Sequence, residues 1–177
     1  MVFSSLTFLC VFIPAVFILY GLIPSLKARN VILMIASLVF YAYGEPVYVL
    51  LMIGSTLLNY FFALLISKGT PERKKMFLII ALTVNLGILA VFKYSGMIVS
   101  GFNTLTGLAV PEPVIVLPIG ISFFTFQALS YVIDVYRGKV KAQHNYLHVL
   151  LYISFFPQLI AGPIVRYSDI EKEIENR

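Results

Sequence analysis

Of the 177 residues, 60% are apolar and only 12% charged, and the mean hydropathy is +0.94. Those values exclude a water-solvated enzyme or binding module, because the apolar residues come in runs too long to hide inside one soluble core. The net charge of +5 does not point to nucleic acid: the basic residues sit in short connections between apolar runs, without a stripe of interleaved aromatics.

The pattern predicts an all-α integral membrane protein with about six transmembrane or partly re-entrant helices, the N-terminal part of a larger bundle. The apolar segments run over about 5–26, 31–43, 46–66, 76–99, 114–135 and 147–165. The first has no basic region ahead of it and is longer than a signal-peptide core, so it reads as an uncleaved span. Cys10 lies within it, and a lone cysteine rules out an intramolecular disulfide. The second segment is short, about 20 Å of helix against a hydrocarbon core of about 30 Å. Glu45-Pro46 and Thr70-Pro71-Glu72 are helix-start signals, with Pro in a first turn and Thr70 as a cap. Asn59 and Asn85, in the third and fourth segments, are read as interhelical hydrogen-bond partners, and Lys93 as a cation reaching outward to the interface. Gly101 to Pro113 reads as the longest flexible connection.

Lys27 and Arg29 fall in the first connection, Lys68, Arg73, Lys74 and Lys75 in the third, and Arg137, Lys139 and Lys141 in the fifth. The second has no Lys or Arg, and the fourth has only Lys93. By the positive-inside bias, the odd connections are cytoplasmic and the N-terminus is outside.

The fifth segment carries the main functional signal, LPIGISFFTFQALSYVIDVYRG at 117–138. At 3.6 residues per turn, Gln127, Ser130, Asp134 and Arg137 fall on one helix face in line with Gly120, while Phe124, Leu129 and Val132 point elsewhere. Polar groups in hydrocarbon face a bundle interior, a partner helix or a watery cavity. The row therefore reads either as packing contacts, with an Asp134–Arg137 ion pair, or as the lining of a tunnel. In the sixth segment Pro157, Gly162 and Pro163 interrupt regular helix where Gln158 offers an amide. Freed backbone groups at that depth must be satisfied by protein or water, which makes 156–166, with Gln158 and Arg166, a second candidate wall. Tyr41, Tyr43, Tyr94 and Tyr167, near segment ends, fit an interfacial aromatic belt.

His144 and His148 are the only histidines, four residues apart as on one helix face, but no acidic residue or Cys lies close by in sequence, so no metal site is expected. The end of the chain carries a capping-box pattern, Ser168 to Glu171, opening an amphipathic helix over 169–177 that reads as cut early.

Together with SFFPQLIAGPIVRY at 154–167, RNVILMIASLVFYAYGEP at 29–46, NLGILAVFKY at 85–94 and the opening MVFSSLTFL, the fifth-segment motif resembles the membrane-bound O-acyltransferase family. The nearest branch is the membrane subunit type that O-acetylates exported polysaccharides such as alginate. The resemblance implies transfer of an acyl group of the acetyl class from a cytoplasmic thioester donor such as acetyl-CoA toward a polysaccharide or a periplasmic partner transferase, in the bacterial cytoplasmic membrane. It also implies a catalytic histidine in the C-terminal half of family members; neither His144 nor His148 lies in a matching motif, so no catalytic residue is expected in this chain. The tunnel-lining candidates are Gln127, Ser130, Asp134, Arg137, Gln158 and Arg166. D-alanyl transfer toward teichoic acid within the same family, and a transporter or channel segment, are the alternatives.

Overall fold

The computed structural model describes residues 5–107, 111, 117–159 and 165–175. Gly162, Pro163 and the start of the fifth segment lie outside the described residues, as does the end of the amphipathic helix. The described residues are helical, with no strand among them.

A π-helical turn, Phe8–Phe12, runs into α1 (Ile13–Leu22), and the first segment then breaks at 23–25. Pro24 has no N–H for a helical ladder, which marks the break. The chain turns back as α2 (Leu26–Gly44), antiparallel to α1. Phe8 and Phe12 pack tilted against Phe40 with ring centroids at 5.2 and 5.7 Å, Val16 clusters with Leu33 and Met34, and the Arg29 guanidinium lies 4.9 Å over the Tyr20 ring. The second segment is therefore longer than its apolar run implied, 19 residues in place of thirteen. Lys27 and Arg29 sit in its opening turns and not in a connection. Polarity ended the apolar run, but Lys, Ala and Arg are good helix formers and continue the helix.

The third and fourth segments form α3 (Tyr48–Lys68) and α4 (Pro71–Thr106). Pro46 lies two residues ahead of α3, so it is outside the first turn expected for it. Thr70 does occupy the N-cap of α4 with Pro71 behind it, though its hydroxyl makes no capping bond. α4 absorbs Gly101 and runs to Gly107, whose φ of 70° supplies the left-handed C-cap. Helices α2, α3 and α4 are long and apolar enough to cross a membrane. Their outer surfaces keep large apolar side chains exposed, among them Leu50, Phe61, Val91 and Ile98. An apolar exterior suits a hydrocarbon solvent. The protein is an all-α membrane protein.

α5 (Ile121–Tyr136) is short and central, packed against α3 and α4. It is buried on nearly every side: Phe124, Ala128, Leu129, Tyr131 and Val132 are all covered. The helix is thus mostly interior, with only Phe123, Phe126 and Tyr136 as exposed large apolar side chains, so the polar row is not its sole buried face.

The sixth segment is α6 (Tyr146–Ser154), a break at Phe155, and α7 (Phe156–Leu159), followed after residue 165 by α8 (Tyr167–Glu175). Its two flanks meet at one end of the bundle. Gln143, just before α6, donates to Tyr167 Oη at 3.0 Å and to Glu175 Oε1 at 2.8 Å, and Asn30 near the start of α2 donates to the Ile174 carbonyl at 2.7 Å. The opposite end is fixed separately: Tyr41 donates to the Ile119 carbonyl at 3.0 Å, and a Cβ on Gly120 would lie 3.0 Å from the Leu159 carbonyl oxygen. The chain therefore passes from the α2/α8 end toward the Gly120 end and returns.

α8 begins at Tyr167, one residue ahead of the proposed cap, so the Ser168 capping box does not form. The Ser168 hydroxyl donates instead to Asp169 Oδ1 at 3.0 Å. The amphipathic helix itself is present, with Ile174 buried against the bundle and Lys172 and Glu173 exposed.

Candidate functional site

The break between α6 and α7 is where the sequence-predicted polar residues converge. Pro157 cannot donate to the Ile153 carbonyl, and Phe155, with φ −53° and ψ 109°, leaves the helical region just before it. The ladder loses the pairing between the Phe156 N–H and the Tyr152 carbonyl. Each freed group finds a side chain from a different helix. Gln127 Nε2 on α5 donates to the Tyr152 carbonyl at 2.8 Å, and the Phe156 N–H donates to Ser37 Oγ on α2 at 3.3 Å. Protein thus satisfies the broken backbone inside the apolar bundle, as hydrocarbon cannot.

Gln127 also reaches Gln158 Oε1 at 3.3 Å, which ties the amide of α7 to α5. One turn on, Ser130 Oγ donates to the Gln127 carbonyl at 2.8 Å and lies 3.3 Å from Tyr152 Oη. Tyr152 Oη in turn donates to the Val165 carbonyl at 2.8 Å, so α5, α6 and the backbone just ahead of α8 share one network. Asp134, a turn further, is buried, and its Oδ2 has no hydrogen-bond partner. Arg137 caps the end of α5 and is exposed, with no ion pair to Asp134 among the described residues; the expected pair is not formed, since Asp134 is buried and the Arg137 side chain lies at the surface. Arg166 is likewise exposed. The structure therefore brings Gln127, Ser130 and Gln158 together, holds Asp134 nearby in the core, and leaves both arginines outside.

Gln158 and Tyr152 line a cavity of about 270 Å³ with Leu33, Leu151, Phe155, Ile170, Glu173 and Ile174. Across Leu33 and Phe155 it adjoins an apolar cleft of about 540 Å³ between α1, α2 and the α6/α7 break. A polar amide beside an apolar channel is the arrangement a membrane-embedded binding wall needs.

Three tyrosines form the rest of the site, and the sequence did not single them out for it. Tyr131, Tyr152 and Tyr167 are fully buried, with Tyr167 ringed edge-on at 5.0 and 5.2 Å by the other two. Tyr131 Oη accepts from the Gln143 N–H at 2.9 Å. Tyr167 and Tyr41 are thus core residues and not part of an interfacial belt, whereas Tyr43 and Tyr94 are exposed as a belt requires. Burial pushes the Tyr167 phenol up to about 12, and the Gln143 hydrogen bond opposes the shift only in part.

The histidines sit apart from this network. α6 starts at Tyr146 with Asn145 as its cap, so His144 lies outside the helix and the two imidazoles do not share a helical face. No group of three or more metal-ligating side chains occurs among the described residues.

Asn59 and Asn85 meet as read. Each donates to the other's Oδ1 at 2.9 Å and to its own helix's carbonyl four residues back at 2.8 Å, so both amides are bonded in the α3/α4 interface. Lys93 is exposed with its ammonium 5.5 Å from the Tyr94 ring centroid.

The whole chain aligns with proteins named as O-acetylases or O-acetyltransferases. It is 40% identical to the probable alginate O-acetylase AlgI of Pseudomonas aeruginosa, covering 100% of this chain and 35% of that protein. The corresponding figures are 37%, 100% and 36% for the probable alginate O-acetylase AlgI of Azotobacter vinelandii. They are 31%, 100% and 39% for a peptidoglycan O-acetyltransferase of Helicobacter pylori. The chain is a homologue of these proteins over its whole length. It spans just over a third of the length of the curated relatives it matches. No protein-family model and no solved structure matches it.

Proposed function

We propose that this chain is the scaffold and donor-side wall of a membrane O-acetyltransferase that passes an acetyl group from a cytoplasmic thioester, acetyl-CoA or a related donor, across the bilayer toward an exported polysaccharide such as alginate. The observation that carries the reading is its 36–40% identity, over its full length, to proteins named alginate O-acetylases. The peptidoglycan O-acetyltransferase relative supports the same reaction class on a different exported glycan. The acceptor is the polysaccharide itself or a periplasmic partner transferase, and the protein sits in the bacterial cytoplasmic membrane with its N-terminus outside.

In this reading Gln127, Ser130 and Gln158 shape the wall at the helix break. Gln127 holds the Tyr152 carbonyl and the Gln158 amide, which leaves Gln158 on the cavity surface. Asp134 backs the wall, and Arg137 and Arg166, both exposed, contact an anionic donor or the interface. The catalytic base is a histidine that the family resemblance places in the C-terminal half of its members. Acyl transfer needs that base and an oxyanion site as well as the wall.

The test is polysaccharide acetylation in cells whose own membrane O-acetylase gene is replaced by the gene encoding this sequence in its natural reading frame. Restored acetyl esters on the polysaccharide support the reading; D-alanyl esters on teichoic acid, or solute uptake without ester formation, would replace it with one of the alternatives. The 177-residue chain alone is expected to give no transfer in membranes, and turnover by it would refute the placement of the base elsewhere.

A further inference from the structure

At the α2/α6/α8 end of the bundle lies a cleft of about 610 Å³ lined by Ser25, Leu26, Lys27, Asn30, Asn145, His148, Ile174 and Glu175. It is separate from the Gln127–Gln158 network. A smaller hollow of about 150 Å³ shares Lys27, Asn30, Asn145 and His148 with it and adds Val31 and Leu147. Two helices, α2 and α6, begin at this cleft, so their positive ends converge there beside the exposed ammonium of Lys27. The opposite wall carries the Glu175 carboxylate.

Two polar atoms on the cleft-lining residues have no hydrogen-bond partner. Asn30 is only 5% exposed; its Nδ2 is committed to the Ile174 carbonyl, and its Oδ1 has no donor. His148 Nδ1 is also buried and unpartnered. Buried polar groups left unpaired are uncommon in native structures, and a bound molecule is one of the ordinary explanations.

The chemistry narrows the occupant. A free inorganic anion would suit Lys27 and the helix starts but would face the Glu175 carboxylate and the Asn30 acceptor. A simple cation would suit those two and oppose Lys27. A zwitterion with a phosphate at one pole and an N–H donor at the other satisfies both walls. The apolar margin of Leu26, Val31, Leu147 and Ile174, at the charged end of three membrane-length apolar helices, suits an amphiphile whose chains run along the bundle.

We infer that this cleft binds the headgroup of a phosphoethanolamine lipid, with the phosphate toward Lys27 and the ammonium toward Asn30 Oδ1 and Glu175. A choline headgroup lacks the N–H that the Asn30 oxygen requires, and a phosphoglycerol headgroup lacks the positive pole that Glu175 requires.

The purified protein, held in detergent with defined additions of phosphatidylethanolamine, phosphatidylcholine or phosphatidylglycerol, tests this by native mass spectrometry and by thermal melting followed by circular dichroism. Phosphatidylethanolamine should be retained about tenfold more than phosphatidylcholine and should raise the melting midpoint more than either other lipid, as loss of one charge-assisted contact predicts. Glu175→Gln should abolish that preference and Lys27→Gln should lower retention of all three lipids, both at exposed side chains, while Lys68→Gln should change neither. Equal retention of the three lipids, a preference for phosphatidylglycerol, a preference unaffected by Glu175→Gln, or retention unaffected by Lys27→Gln would each overturn the assignment. So would a midpoint shift produced as fully by soluble phosphoethanolamine at the same concentration, since that would make the occupant a free metabolite and not a lipid.

Discussion

Gln127 is the residue on which the break in the sixth segment depends. Its amide is the partner of a backbone carbonyl that has lost its helical donor, in a site closed to water. Gln127→Leu should cost about 1–3 kcal/mol, the penalty of leaving a buried acceptor unpaired, read as a lower midpoint in a denaturation melt. Gln127→Glu must either bury a charge or protonate, and then keeps one O–H for the two bonds the amide makes, so it should also lower the midpoint; a wild-type midpoint for both variants would show that the carbonyl finds another partner. Asn59 and Asn85 offer a second test. Asn59→Leu or Asn85→Leu alone strands part of the other amide, at a cost of about 1–3 kcal/mol. The double variant should cost clearly less than the sum, because neither amide is then left behind, and strict additivity would mean the two do not couple. Both asparagines were legible because an amide in an apolar run demands a partner. Tyr131, Tyr152 and Tyr167 were not, since a tyrosine near a segment end satisfies a belt equally well, and only the return of the chain past Val165 buries Tyr167.

Among the elements, α5 and α8 depend on how closely they are seated. Gly120 opens α5 with φ 79°, and an added Cβ would approach the Leu159 carbonyl oxygen to 3.0 Å. Gly120→Ala must bear both the left-handed conformation, about 1–2 kcal/mol, and a shift of α7. It should lower the denaturation midpoint more than Gly107→Ala, whose Cβ meets nothing within 4 Å; equal effects would mean that only the backbone angle matters. α8 is tied through Tyr167, whose phenol is raised from its usual 10 to about 12, chiefly by burial. Because the folded state favours the neutral phenol, the stabilisation from docking Tyr167 is whole below about pH 10 and is lost as the pH climbs through 12. Amide exchange in α8 should therefore accelerate across that window in the native chain and lose this step in Tyr167→Phe. A step of the same size in Tyr167→Phe would assign the transition to another group. The helix segments were readable from apolar runs, and their ends were not: α2 and α4 both extend through polar residues that interrupt hydropathy without interrupting the backbone ladder.

For the molecule as a whole, a linear list of apolar segments leaves open which are full crossings and which are partly re-entrant, and the sixth makes the contacts of a re-entrant one. Six successive crossings would set α8 at the opposite end of the bundle from the 137–145 connection. Instead Gln143 in that connection bonds both Tyr167 and Glu175, and Asn30 holds Ile174, so the two flanks of the segment share an end. Nothing in the apolar run itself encodes the reversal; Pro157 marks a break, but direction is decided by where Gln127, Ser37 and Tyr152 take up the freed groups. The charge pattern places Lys141 on the cytoplasmic side, so Lys172 on α8 should be there too, and the turn at Val47 should lie outside. Single-cysteine variants on a Cys10→Ala background make this measurable: Lys141→Cys and Lys172→Cys should both resist a membrane-impermeant maleimide in intact cells and react once the cells are opened, whereas Val47→Cys should react from outside. Reaction of Lys172→Cys in intact cells, with Lys141→Cys still protected, would restore the sixth segment as a full crossing. If the two cysteines behave alike, the polar network at the break is a wall reached from the cytoplasmic side, the side from which a thioester donor arrives.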